Sequence, residues 1–138
     1  MRTFSALLIP TLFAGGLTLT APLAHAAEVS DCSRAIGQVT ADTAKSVSES
    51  VHGDWAASNK TTEEALGELI GAQVACNLDS NQTNLDAMNQ KFDTTANDMT
   101  AMLAAIGTKD RHSPRLKGVL TTSAAVSDDL RSLAEYAN

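Results

Sequence analysis

The chain has 138 residues, with 16 acidic side chains against 10 basic ones, a net charge of −6 and only 4% aromatic residues. The acidic balance argues against nucleic acid and anionic membrane surfaces as partners, because both are held by basic patches. A single-domain length with so few large side chains builds a thin core, and such cores need a staple.

The first residues have the three parts of a secretory signal. Arg2 is a short positive region, and Leu7 to Leu19 is apolar apart from Pro10, Thr11, Gly15, Gly16 and Thr18. Ala24-His25-Ala26 is a small-x-small cleavage site. The apolar run is too short to span about 30 Å of hydrocarbon. A signal peptide over residues 1–26 and one domain over 27–138 are expected, with the product secreted or periplasmic. Cleavage removes Arg2 and leaves 9 basic against 16 acidic residues, a balance of −7. No later stretch is apolar enough to insert in a bilayer. The two cysteines, Cys32 and Cys76, are expected to pair in an oxidising compartment.

The first helix is expected over 29–52. Ser30 or Asp31 can cap it, and Cys32, Ile36, Val39, Thr43, Val47 and Val51 form one helical face. Ser46, Ser48 and Ser50 lie off that face, and Gly53 is a natural stop. Residues 53–61 read as a loop whose only large side chain is Trp55. The second helix is expected over 62–77, after a capping box formed by Thr61 and Glu64. Ala65, Leu66, Leu69, Ile70, Ala72, Val74 and Cys76 give it a broad apolar face. Gly67 and Gly71, four apart, would let another helix approach closely. Facing positions in an antiparallel hairpin sum to twice the turn centre. Pairing Cys32 with Cys76 places that centre at residue 54, inside the loop.

The third helix is expected over 81–107. Leu78, Leu85, Phe92, Met99 and Ile106 recur every seven residues, with Met88, Ala96, Met102 and Leu103 between them. The second and third helices could form one rod. A break near 77–81 is favoured because Asn77, Asp79, Ser80 and Asn81 are poor helix formers and good caps. Gly107 ends the third helix, and a charged link carries Lys109, Asp110, Arg111 and His112. Ser113-Pro114 opens a fourth helix over 114–137, with a stripe of Leu116, Val119, Leu120, Ser123, Val126, Leu130, Leu133 and Tyr136 or Ala137. The expectation is an all-α, up-down-up-down four-helix bundle with one disulfide.

Catalytic machinery is not legible. After the signal there are two histidines, His52 and His112, and neither a G-x-S-x-G elbow nor an H-E-x-x-H motif. Glu63, Glu64 and Glu68 read as dipole-favouring residues at a helix start, and Asp128 and Asp129 as solvated surface. Asp79-x-Asn81-x-Thr83 opens like a calcium loop, but Asn84 and Gln90 occupy the positions that need Gly and a bidentate Glu. No metal site is expected.

These observations lead to a non-enzymatic exported bundle that binds a protein partner, as an inhibitor, immunity-type or accessory factor. The partner surface is expected at Trp55, Lys109, Arg111 and His112, since Trp and Arg anchor interfaces. Trp55 could instead fold back over the open end of the core. The second reading is a carrier of haem or another small apolar ligand between the helices. His52, His112, Met99, Met102 and Tyr136 are the candidate contacts for it.

Overall fold

The computed structural model describes residues 30–79 and 82–137. The expected signal segment and its cleavage site lie outside the described residues. Four helices follow one another: α1 (Asp31–Val51), α2 (Trp55–Leu78), α3 (Leu85–Ile106) and α4 (His112–Ala137). Each packs on its two neighbours in a closed square, α1 on α2 and α4, α3 on α2 and α4. The architecture is the expected up-down-up-down bundle. No described helix is long and apolar enough to cross a membrane.

Apart from Thr61 and Asp129, the buried positions form one seam per helix with alternating steps of four and three. They are Cys32, Ile36, Val39, Thr43, Ser46 and Ser50 on α1, and Ser58, Thr62, Ala65, Leu69, Ala72 and Cys76 on α2. On α3 they are Met88, Phe92, Thr95, Met99, Met102 and Ile106, and on α4 Val119, Ser123, Val126, Leu130, Leu133 and Ala137. A step pattern averaging 3.5 keeps each seam facing the bundle axis along its whole length. Cys32 and Cys76 are joined, as expected, with their Cα atoms 4.4 Å apart.

The turn between α1 and α2 is tighter than the expected loop. Gly53 takes φ +77°, which suits a residue without a Cβ. The Gly53 N–H donates to the Ser50 carbonyl, and the Asp54 N–H to the Glu49 carbonyl, 2.9 Å away. That pair of bonds is a Schellman stop. Asp54 then caps α2 by accepting from the Ala57 N–H at 3.2 Å. The second helix therefore begins at Trp55 and not at 62, and the Thr61 capping box is not used. Two effects override it. Asp54 offers an earlier cap, and helical geometry from Trp55 onward brings Ser58 and Thr62 against α1.

That contact also corrects the register of the first helix. Ser46 and Ser50 are fully buried, while Val47 is half-buried and Val51 is 49% exposed. The Ser58 hydroxyl lies 2.8 Å from that of Ser46 and 2.7 Å from that of Ser50. The Thr62 hydroxyl also bonds Ser46 and donates to the Ser58 carbonyl. Buried hydroxyls are tolerated only when paired, and these satisfy one another.

The break between the second and third helices is real: α2 ends at Leu78 and α3 starts at Leu85, after Asn84 in the left-handed region at φ 53°. Leu78 is therefore not part of the third helix's seven-residue repeat, and Thr95 replaces Ala96 on its buried seam. The fourth helix begins at His112, two residues before Pro114. Proline is accepted in a first turn because its missing N–H had no helical partner there.

Candidate functional site

Two regions stand out at the surface. The first is the turn end of the bundle. Trp55, the first residue of α2, packs half-buried against the core. The Arg115 guanidinium carbon sits 4.2 Å from its ring centroid, and the His112 ring lies 5.4 Å away at a tilt of 57°. Arg115 is anchored by its Nε–H donating to the Ile106 carbonyl at 2.8 Å. The cluster thus joins α2 to the ends of α3 and α4. Trp55 folds over the open end of the core, and one ring face is taken by Arg115. Lys109, Arg111 and His112 are exposed at the same end. The structure brings Trp55 and His112 together and leaves Lys109 and Arg111 in solvent.

The residues considered for a small apolar ligand are dispersed. Met99 and Met102 are fully buried side chains of the core seam. His52 is exposed, with its Nδ1 against the Ser48 carbonyl at 2.8 Å. His112 faces Trp55 on α2. Tyr136 is 38% exposed near the C-terminal end of α4, at the opposite end of the bundle from both histidines.

The second region is the outer side of α2. Its inner seam runs through Thr62, Ala65, Leu69, Ala72 and Cys76. Gly67, Gly71, Val74 and Leu78 repeat the same four-three-four step on the opposite side, with Ile70 beside them. Ile70 is 61% exposed, Val74 55% and Leu78 79%. A methyl group at Gly67 or Gly71 would meet nothing within 4 Å. At the Leu78 end, a groove of about 610 Å³ runs between α2 and the start of α1, lined by Ser30, Asp31, Gly71, Val74, Ala75, Leu78 and Asp79. The sequence places Ile70 and Val74 on a core-facing side and Leu78 on the third helix. The structure turns all three outward. The legible signal was the second heptad itself: α2 is apolar on two opposite sides, and only one can face the axis.

Carboxyl groups meet at both hairpin interfaces. Because α2 starts at Trp55, Glu68 is in mid-helix and not at a dipole-favoured start. Burial, then a hydrogen bond with Asp42 of α1 and the charges of Asp42 and Glu64, push Glu68 up to about 7. The bond from the Glu68 carboxyl holds Asp42 below its ordinary range, against its own partial burial and with help from Gln38 and Lys45. Asp129 of α4 is 7% exposed, a correction to its reading as solvated surface. Burial, then a hydrogen bond with Asp98 of α3 and the charges of Asp98 and Asp128, raise it to about 6, opposed by Lys91. The Lys91 ammonium is 3.8 Å from it. Asp128 does face solvent, paired with Arg131 at 2.8 Å.

No protein-family model, curated protein or solved structure matches the chain.

Proposed function

We propose that the protein is an exported, non-enzymatic helical bundle that acts by binding a protein partner, and that the outer seam of α2 is the binding surface. The observation that carries this reading is the exposed line of Ile70, Val74 and Leu78 beside two unobstructed glycines. Contiguous apolar surface in a chain this polar is costly to leave in water, and such patches mark interaction sites. Export is supported by the leader pattern and by the Cys32–Cys76 bond, which persists in oxidising compartments. The role is that of an inhibitor, immunity-type or accessory factor.

The test is site-specific photo-crosslinking in the native secretome. A photo-reactive side chain at Val74 should capture a discrete protein, and Leu78→Asp should abolish the capture without shifting the melting temperature. The same probe at exposed Gln38 of α1 is the control. Equal labelling from both positions, or capture that survives Leu78→Asp, rejects the α2 seam as the binding surface.

A further inference from the structure

The seam invites a more specific question, namely what kind of partner fits it. We infer that it receives an amphipathic helix whose apolar ridge is bracketed by basic residues at both ends, an inference that rests on reading the seam as the partner surface. Three observations lead there.

The first is shape. Gly67, Gly71, Val74 and Leu78 keep heptad spacing. Gly67 to Leu78 rises about 16 Å, or three turns. A ridge with this repeat matches the holes of a facing helix. The backbone groups of α2 from Gly67 to Val74 are spent on helical bonds, so a strand has no edge to join there. The two glycines weaken α2 relative to alanine. Nothing in the fold needs their smallness, since a side chain there meets open space. An approaching helix backbone would need it.

The second is charge. Between Glu68 and Asp79 the α2 sequence has no charged residue. Exposed Glu63 and Glu64 flank the seam at its beginning, and Asp31 and Asp79 line the groove at its end. Two cations accompany these four carboxylates. Lys60 is one turn before Glu64, and Arg34 reaches Asp31 at 2.6 Å. An apolar strip with carboxylates at both ends is complementary to an apolar helix with lysine or arginine at both ends.

The third is the exclusion of a second copy of the chain. In an antiparallel self-pair, Glu63 and Glu64 of each copy would oppose the Asp79 end of the other; in a parallel pair they would oppose themselves. Like charges across an interface are unfavourable, and both arrangements suffer it.

The probe is a synthetic Leu/Ala helix of about four turns with a lysine pair at each end, compared with the same helix carrying glutamate pairs. Binding to the purified protein is read by fluorescence anisotropy at physiological salt. The lysine-ended helix should bind about tenfold more tightly than the glutamate-ended one, and Gly71→Leu should weaken it by about tenfold. Gly71→Leu should at the same time keep or raise the melting temperature, so a lost signal is not a lost fold. Val74→Asp separates a built site from bulk attraction. The added negative charge strengthens simple charge attraction, whereas a lost apolar contact weakens binding.

Equal affinity for the two helices, both lost with Val74→Asp, overturns the basic bracket while leaving the seam as a binding surface. Binding that is unaffected by Gly71→Leu, or strengthened by Val74→Asp, overturns the proposal. Absence of binding by both helices does the same. Concentration-dependent self-association that Val74→Asp removes would assign the seam to a second copy and overturn it as well.

Discussion

The two hairpins of this bundle are held together by different means. The α1–α2 hairpin meets mostly through small residues, with Val39, Thr43, Ala65 and Ala72 in its middle beside only two large ones, Ile36 and Leu69. It is closed by the disulfide at its open end and by the Ser46–Ser50–Ser58–Thr62 hydroxyl network at its turn. The α3–α4 hairpin has no covalent link, and it contributes Phe92, Met99, Met102, Ile106, Leu130 and Leu133. Burial stabilises in proportion to apolar area, about 25 cal/mol per Å². Small side chains bring helices close but bury little area, so the first hairpin depends on its staple and the second on its bulk. The hairpins pack on each other through α1 with α4 and α2 with α3, and polar contacts mark both ends. Arg115 stacks on Trp55 at the turn end, and an amide cluster of Gln73, Asn77 and Asn89 joins α2 to α3 towards the other.

The largest expected effect comes from cutting the staple. Cys32→Ala with Cys76→Ala should lower stability by about 4 kcal/mol on the chain-entropy account of a loop this long. Denaturant unfolding measures it. A loss below about 1 kcal/mol would mean that the first hairpin is held by its packing after all.

Next in size is a cavity in the second hairpin. Leu133→Ala should cost about 3 kcal/mol, because a fully buried leucine leaves a void that the bundle fills only partly. The same substitution in the reduced protein should cost a similar amount, since the two elements are separate contributions.

Ser58→Ala isolates the hydroxyl network. It removes the partner of Ser50 and one partner of Ser46, and should cost about 1–2 kcal/mol. Measured helix content should stay unchanged, which distinguishes a lost network from a shortened α2.

The smallest effect is a dependence on pH shared by both hairpins. Glu68 and Asp129 have folded pKa values raised to about 7 and about 6. A raised carboxyl binds its proton more tightly in the folded state than in the unfolded one. Stability is therefore full below the ordinary carboxylate range and falls as pH rises towards 6–7. The melting temperature should decline across that window. Glu68→Gln should flatten the upper part of the decline and Asp129→Asn the lower part. A melting temperature that rises between pH 4.5 and 7 would reverse the assignment.

Much of this fold was legible along the chain. Asp54 lay near the turn centre implied by the two cysteines, and Gly53 marked the stop. Phe92, Met99 and Ile106 kept their period of seven into the core. Other features depended on what lay opposite. Val47 and Val51 looked like better core residues than Ser46 and Ser50, and hydropathy along one helix cannot reveal hydroxyl partners that α2 supplies. The same blindness hid Asp129, whose burial depends on Lys91 and Asp98 of α3.

The surface region is the clearest division between the two kinds of information. Composition and spacing determined by themselves that the chain would form helices, where the first hairpin would be centred and which cysteines would pair; the apolar residues of α2, expected on one broad face, occupy two opposite sides. Only the tertiary structure decided which of those sides faces inward. A helix with two heptad seams can rotate by half a turn without violating its own periodicity. The choice was made by its neighbours: the inner seam brings Cys76 to Cys32 and Ser58 and Thr62 to Ser46. The Ile70–Val74–Leu78 side makes none of those pairings, and it is the side that remains in solvent.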